Sequence, residues 1–577
     1  MSKILRVNMT DLTATYEDVP EKYRLLGGRG LTSTIVADEV EPTCHPLGPH
    51  NKVVFAPGLV SGTAAPNSGR LSVGAKSPLT GGIKESNAGG ISSQKIAHLG
   101  IKAMVVEGQP REKQLYALRV SKAGAELVPV PEIAGKGMYE TNATLWARYG
   151  RVAIVGIGLA GERLMTNAGV STNDMENGPG RYASRGGLGA AMGSKGLKAI
   201  AVDDAGVRDV PIKDPEAFRV AAKQLTDALR EHPVTSQTLP SYGTAVLINV
   251  LSEAGGLPTR NFSSGRFEGA AKTSGEAIAG LVKARGGVGR MGHPCHPGCV
   301  IQCSNVVPRE DGTLACAPVD YEPDWALGAN CGIDSLDDIV TLNYLCNDFG
   351  VDAIETGVAL GVAMEAGLLK FGDGKAAIEL LEEVGNGTPL GRILGQGAAF
   401  TARAFGVTRV PVVKGQGMPA YEPRAVKGIG TTYVTLPMGA DHTAGYAVAT
   451  EILSVGGKAD PLSPAGKAEL SRDLQVATAF LDSTGYCLFI SFATLDIPSG
   501  FEGMLGTINA MYGTSWTAED ITRIGQEVLR TERRFNELAG FSKGMDRVPE
   551  FMKHEPLPPH NTVFDVPDEE LDRVLAF

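Results

Sequence analysis

Three cysteines in one short run constrain this chain more than any other feature. The run reads Gly292-His293-Pro294-Cys295-His296-Pro297-Gly298-Cys299-Val300-Ile301-Gln302-Cys303. Pro297 and Gly298 break any helix through it, so a loop must present the sulfurs. A fourth cysteine, Cys487, lies far downstream in Asp482-Ser483-Thr484-Gly485-Tyr486-Cys487. Three local thiolates and one remote one commonly hold a [4Fe–4S] cluster. Any fold that satisfies this reading must bring the two segments together. A cluster moves single electrons, so the implied class is a redox enzyme. A zinc site and a set of buried structural thiols stay open beside it. Structural zinc usually takes C-x2-C pairs, whereas both gaps here are three residues. Eight cysteines in 577 residues are too sparse for a disulfide scaffold. The radical-SAM pattern has a two-residue second gap, and this run does not.

A chain of 577 residues exceeds one hydrophobic core, so several domains are expected. Its 43% hydrophobic and 20% charged content is that of a globular enzyme. A net charge of −10 leaves no basic excess to neutralise phosphates, which argues against a nucleic-acid partner. The 74 glycines exceed the usual share of about 7%, and such backbone suits close approach to a bulky cofactor. Met1 to Val7 has neither the apolar core nor the cleavage site of a secretory signal. No run of about 18 apolar residues predicts a membrane span. A cytoplasmic enzyme with reduced thiols is expected.

Residues 1–206 read as strand-rich and punctuated by turns. Val53–Ala56, Leu71–Gly74 and Ala103–Val106 are short apolar runs bounded by Gly and Pro. Lys198–Val202 closes this part, and Asp203-Asp204-Ala205-Gly206 marks a boundary. From Asp214 the period changes, with Ala217, Val220, Ala221, Leu225 and Leu229 at helical spacing. A mainly helical section, 207–408, includes Ala376–Leu381. A second, 409–577, begins near Pro411-Val412-Val413 and contains helices over Ala468–Leu481 and Ala518–Leu538. Pro556-Leu557-Pro558-Pro559 reads as an extended surface strap. No internal repeat is apparent. The fold class is α+β.

Four glycine-rich runs dominate the first section: Gly27-Gly28-Arg29-Gly30, Ser68-Gly69-Arg70, Gly81-Gly82 with Asn87-Ala88-Gly89-Gly90, and Arg181 to Gly187. Glycine lets backbone approach a ligand, and a guanidinium offers two parallel donors to a phosphate. Together they point to a large anionic cofactor. Gly156-Ile157-Gly158-Leu159-Ala160-Gly161 matches the dinucleotide fingerprint, but no helix, second strand and acidic ribose ligand follow in the required order. A structural turn is the expected role there. His442 and Glu322 stand isolated in sequence, and nothing local pairs them.

These residues together resemble the aldehyde:ferredoxin oxidoreductase family of tungsten enzymes. The resemblance runs over almost the whole chain. It includes Leu26 to Leu31, Lys76 to Gly82, Arg185 to Ala190 with Met192 to Lys195, Tyr321-Glu322, Cys346 to Asp352, Gly439 to His442, and Asp482-x-x-Gly485-x-Cys487. It implies a β-rich base under a tungsten (or molybdenum) bis-pyranopterin, covered by two helical domains. The metal would be held by pterin dithiolenes and not by the protein. By resemblance, Arg70, Asn87, Gly89, Arg181, Tyr182 and Arg185 contact the pterin phosphates or a bridging magnesium. Asn347, Val351 and Asp352 line one pterin; Asp482, Tyr486 and Leu488 line the other. Cys295, Cys299, Cys303 and Cys487 bind one [4Fe–4S] cluster. Glu322 and His442 handle protons beside the metal, the carboxylate as acceptor and the imidazole as donor to the carbonyl oxygen.

Three features depart from the family pattern. The first cysteine gap is three residues, where two are usual. Asn347 stands where Asp is frequent. No match to the inter-subunit iron-binding pair of some members is present, so a metal-bridged dimer is not expected, although another oligomer is compatible. The implied activity is oxidation of an aldehyde to a carboxylic acid, with electrons leaving to ferredoxin or an iron–sulfur electron-transfer subunit. The rivals are an aromatic acyl-CoA (benzoyl-CoA type) reductase subunit, a nicotinamide oxidoreductase using Gly156 to Gly161, and a cluster-bearing electron-transfer module.

Overall fold

The computed structural model describes residues 2–207 and 209–577. Its first third is two six-stranded sheets packed face to face. The first contains β1 (Lys3–Asn8), β2 (Thr13–Asp18), β3 (Val53–Pro57), β4 (Leu71–Lys76), β5 (Ile83–Ala88) and β6 (Ile101–Glu107), in the order β2-β1-β6-β3-β4-β5. The second contains β7 (Tyr116–Ser121), β8 (Gly124–Pro129), β9 (Ala153–Gly156), β10 (Val170–Thr172), β11 (Arg181–Ala183) and β12 (Leu197–Asp203), in the order β11-β10-β9-β12-β7-β8.

These orders are the same topology twice. A hairpin comes first, then three strands, then a closing strand parallel to the first of the hairpin, in β1–β6 as in β7–β12. A 3-10 turn and a helix follow each hairpin, Glu21–Tyr23 with Gly28–Glu39 and Pro131–Ile133 with Met138–Tyr149. Val19-Pro20-Glu21 and Val130-Pro131-Glu132 occupy equivalent places. The expectation of no repeat is therefore corrected. The duplication lies in strand pairing, which a scan for recurring residues does not see.

The strands read as continuous apolar runs because both sheet faces are covered. Phe55, Val73 and Met104 meet Leu118, Val155 and Ile200 between the sheets. On the outer face of the first sheet, Val54 and Ala56 pack on Leu31, Ile35 and Val36 of helix Gly28–Glu39. On the outer face of the second, Ile154 and Ala199 pack near Leu145. The edge strands β5 and β11 lie side by side, and the cavity described below opens along them.

The remainder is mainly helical. Asp214 caps helix Pro215–Glu231 by accepting from the Ala217 amide at 3.0 Å. Its buried stripe is Phe218, Ala221, Ala222, Leu225, Ala228 and Leu229, whereas Ala217 and Val220 face solvent. The predicted stripe was thus rotated. The helix packs against Pro498–Tyr512, where Gly503 comes so close that a Cβ would lie 2.6 Å from the Leu225 nitrogen. Helices Lys467–Thr484 and Ala518–Leu538 appear at the expected places. The Pro556 segment is a turn closed by a Leu557–Thr562 bridge, not an extended strap. It is seated by the Gly265 amide donating to the Pro558 carbonyl at 2.8 Å. Among the described residues no single helix is long and apolar enough to cross a membrane.

Strand β9 pairs antiparallel with both of its neighbours, β10 and β12. Gly156 to Gly161 therefore opens no parallel βαβ unit, and the nicotinamide reading loses its structural basis. Gly158 serves close packing instead: a Cβ there would lie 2.3 Å from the Phe349 carbonyl oxygen.

Candidate functional site

The three-cysteine run is a loop joining β13 (Arg290–His293) to β14 (Ser304–Pro308). Gly298 takes φ +85°, a turn that only glycine makes at little cost. Cys295, Cys299, Cys303 and Cys487 all line one cavity of about 320 Å³. Cys487 reaches it from the end of helix Lys467–Thr484, where Gly485 at φ +87° stops the helix. The Cys487 amide donates to the Asn67 carbonyl at 2.8 Å, which ties this segment to the first domain. Asn67 also holds the loop, its Oδ1 accepting from the Val300 amide at 3.0 Å. Gly89 leaves room for Cys295, since a Cβ there would meet Sγ at 3.1 Å. The Cys295–Cys299 hydrogen bond and burial raise the Cys295 pKa. The longer first gap thus leaves Cys295 beside Cys299. Cys316, Cys331 and Cys346 are buried away from the group, and Cys44 is half-buried.

Arg70 bridges the cysteines and the rest of the cavity, its Nη2 3.6 Å from Cys487 Sγ. Arg181 donates to Ser304 Oγ at 2.7 Å, while its Nε is buried without a partner. Arg185 is fully engaged by the protein. It donates to Asp352 at 3.0 Å, to the Ala440 carbonyl at 2.6 Å and to the Gly417 carbonyl at 2.7 Å. It therefore fixes the segment that carries His442. Asp352 also caps helix Ala353–Glu365 through the Ile354 amide at 3.0 Å. Tyr182 donates to the Asn347 carbonyl, and Asn347 Nδ2 lies 3.5 Å from Cys316 Sγ. Asp482 accepts from Asn87 at 3.4 Å and from Arg29 at 3.3 Å. Val351 and Leu488 complete the wall. Tyr486 alone among the named residues turns away from the cavity, its hydroxyl paired with Thr507 at 2.7 Å. The buried phenol needs a partner, and Thr507 supplies it.

At the far side of the cavity, His442 Nε2 lies 3.5 Å from Glu322 Oε1. Glu322 sits in the first turn of helix Tyr321–Leu327, and its Oε2 accepts from the Ala420 amide at 3.1 Å. Burial pushes its carboxyl up to about 8. Burial, aided by Arg185 and Lys84, pushes His442 down to about 3. At neutral pH the acid is protonated and the imidazole is neutral. His442 Nδ1 and Glu322 Oε1 have no other buried partner.

Sequence reasoning missed several neighbours. Lys84 is fully buried and forms an ion pair with Asp441. Its signal was a strand, Ile83-Lys84-Glu85-Ser86-Asn87, with charge on both faces, which no ordinary core strand carries. Tyr421 and Tyr446 share a hydrogen bond of 2.9 Å beside His442. Arg29 is sealed by Glu532, with contacts of 2.9 and 2.8 Å.

The residues present fit a large anionic cofactor beside a metal cluster. The four cysteines line one space, with the sulfurs of Cys295 and Cys299 within 4.8 Å of one another, and Arg181 Nε, Glu85 Oε1, Glu322 Oε1 and His442 Nδ1 are buried without partners around it. Buried polar atoms of this kind ask for a ligand.

Comparison with known proteins gives one answer. The family model described as "Aldehyde ferredoxin oxidoreductase, N-terminal domain" matches residues 4–204. The model described as "Aldehyde ferredoxin oxidoreductase, domains 2 & 3" matches residues 220–576. The chain is 35% identical to a "Tungsten-containing aldehyde ferredoxin oxidoreductase" of Pyrococcus furiosus, covering 96% of this chain and 92% of the relative. It is also 35% identical, with the same coverage, to the protein of that name from Thermococcus kodakarensis. Among solved structures, the active site complex BamBC of benzoyl coenzyme A reductase superposes with a TM-score of 0.76, covering 100% of this chain and 93% of that one at 18% identity. That last likeness is one of fold.

Proposed function

The chain belongs to the aldehyde ferredoxin oxidoreductase family, and on that footing we propose that it oxidises an aldehyde, with water, to a carboxylic acid at a tungsten pterin and sends the electrons out through a [4Fe–4S] cluster. The observation that carries this reading is the single cavity shared by the four cysteines, the arginines and the Glu322–His442 pair.

Cys295, Cys299, Cys303 and Cys487 supply the four thiolates such a cluster takes. Arg70 stands between that group and the pterin space. Arg181, with a free donor, would hold a pterin phosphate, and the backbone at Gly89 would let that group approach closely. Asn87, Asn347, Asp352 and Asp482 offer acceptors to pterin N–H groups. When bound, the tungsten pterin supplies the acceptance of two electrons from the substrate.

The chain's own part in the chemistry is proton handling. The surroundings of Glu322 and His442 suit the roles expected from the sequence. Glu322, whose pKa of about 8 lies near working pH, is the group able to take up and release a proton. Neutral His442 is the group able to donate an N–H hydrogen bond to the substrate carbonyl. Arg185 keeps His442 in place by holding Ala440. Tyr321, Tyr421 and Tyr446 wall the pair from bulk water. Electrons leave to a separate protein, a ferredoxin or an iron–sulfur subunit. The cluster loop is the natural exit, since Pro297, Gly298 and Gln302 are exposed. Eight free cysteines suit a cytoplasmic setting.

The test is anaerobic dye reduction by aldehydes with the metal-replete enzyme, alongside analysis for tungsten, molybdenum and iron. Aldehyde-dependent reduction is expected. Full metal content with no response to any aldehyde, but with turnover of an aromatic acyl-CoA, overturns the reading.

A further inference from the structure

Strand β5 grips the segment that leads up to His442. Asn536 joins the two, its Oδ1 accepting from the Ile83 amide at 2.8 Å and its Nδ2 donating to the Pro437 carbonyl at 2.7 Å. Lys84, fully buried, donates to the Met438 carbonyl at 3.3 Å and forms its ion pair with Asp441 Oδ2. Its stem lies on Gly186, where a Cβ would stand 2.5 Å from Lys84 Cγ. The other oxygen, Asp441 Oδ1, accepts from Gln416 Nε2 at 3.2 Å and lies 3.6 Å from Arg185 Nη1. The stretch from Pro437 to Asp441 is thus held from several sides. The His442 ring is held far less. Among the described residues its Nδ1 has no partner, and its Nε2 lies 3.5 Å from Glu322 Oε1, beyond ordinary hydrogen-bond length.

We propose that Lys84 is a positioning residue for the reaction, setting the place and aim of the His442 ring through the backbone from Met438 to Asp441. The inference rests on the role given to His442 in the aldehyde reading and deepens it. A ring with so few bonds of its own takes its direction from the backbone before it. Gly439, at φ +88°, is the freest point of that backbone. Lys84 spans this glycine, with one contact on Met438 and the other on Asp441. A buried ion pair contributes little to stability, because desolvation offsets the attraction. What the two charges secure is relative place, here of the edge strand of the base against the segment carrying His442. Lys84 does not line the cavity, whereas Asp441 and His442 do, so it acts through Asp441 and not on the substrate. Its charge also helps to keep the imidazole neutral.

The experiment compares the metal-replete wild type with Lys84→Met and with the double variant Lys84→Met, Asp441→Asn, by crystal structure, thermal melting and aldehyde kinetics. Lys84→Met is expected to displace the His442 ring by about 1 Å or more and to lower kcat by on the order of 10–10²-fold. KM should stay within about threefold, because the lost contact acts on the reacting geometry and not on substrate binding. The double variant carries no unpaired charge at this place, so it should melt at a higher temperature than Lys84→Met while its kcat stays low. That split separates position from stability. If Lys84→Met loses its metals, the double variant carries the same comparison. The proposal is overturned if the His442 ring stays in place in both variants, or if kcat in a metal-replete variant remains within about twofold of the wild type. A double variant that regains wild-type kcat also overturns it, since Lys84 then only neutralises Asp441. Lack of aldehyde oxidation by the wild type overturns the aldehyde reading instead, and the ring position then decides the claim for Lys84.

Discussion

His442 Nε2 stands 3.5 Å from Glu322 Oε1, although the two residues come from separate helical sections of the chain. Each side chain shifts in the direction that burial dictates, the carboxyl up and the imidazole down. The outcome is a neutral pair that holds one transferable proton at neutral pH. The imidazole stays neutral and keeps its N–H as a donor, while the carboxyl titrates close to working pH.

Replacing either member should slow the chemistry without disturbing the metals. Glu322→Gln and His442→Asn are each expected to lower kcat by about 10²–10⁴-fold. Tungsten and iron contents should match the wild type. Near-normal turnover in both variants with full metal content would leave the pair a structural one.

The cysteine group makes a second prediction. Cys299→Ala and Cys487→Ala should lose the reduced-state EPR signal of the cluster and much of the iron. Cys331→Ala should keep both, because Cys331 is buried in the helical core and its thiol meets the carbonyls of Ala326 and Gly357. A full cluster signal in Cys487→Ala would remove the fourth ligand from the assignment.

Stability should depend on pH through Glu322. Its folded pKa of about 8 lies above the ordinary 4.5. Between those values the native state keeps a proton that the unfolded chain releases. The associated stabilisation is full below pH 4.5 and is lost as pH rises through 8. The metal-free protein should therefore melt at lower temperature at pH 8.5 than at pH 5, and Glu322→Gln should reduce that difference. An unchanged or larger difference in the variant contradicts the assignment.

The Arg29–Glu532 pair supports Asp482 from behind, with Arg29 and Glu532 both fully buried. Ser33 adds a hydrogen bond to Glu532 at 2.9 Å. Glu532→Gln removes the nearest counter-charge of a buried guanidinium and leaves it only Asp482 at 3.3 Å, which should cost about 3–5 kcal/mol. The double replacement Arg29→Met with Glu532→Leu should be less damaging than either single change. Thermal melting of the three variants decides this, and a double variant worse than both singles would show the pair to be irreplaceable packing.

The cysteine group was legible in the residues themselves, whereas Glu322, His442 and the residues around them came from the family resemblance. The loop at Cys295 to Cys303 followed from Pro297 and Gly298, because those two residues limit backbone dihedrals wherever they occur. Helix Ala518–Leu538 followed from its apolar period, and Thr517 with Asp520 forms the capping box that starts it. Of the glycine and arginine runs, those at Arg70, Asn87 to Gly89 and Arg181 to Arg185 line the cavity, whereas Arg29 is sealed by Glu532.

Only the tertiary structure decided what those groups do to one another. The doubling of the two sheets depends on hydrogen-bond registers between strands far apart in the chain. Which face of helix Pro215–Glu231 is buried depends on the helix Pro498–Tyr512 packed against it, where Gly503 comes close to Leu225. Tyr486 turned to Thr507, and Arg185 turned to Asp352, Ala440 and Gly417, because buried donors must be satisfied by whatever acceptors the packing brings near. The same holds for Glu322 and His442, whose residue types were plain in the sequence but whose proton affinities were not. A pKa is shifted by desolvation and neighbouring charge, and both are created only when distant segments close around the side chain.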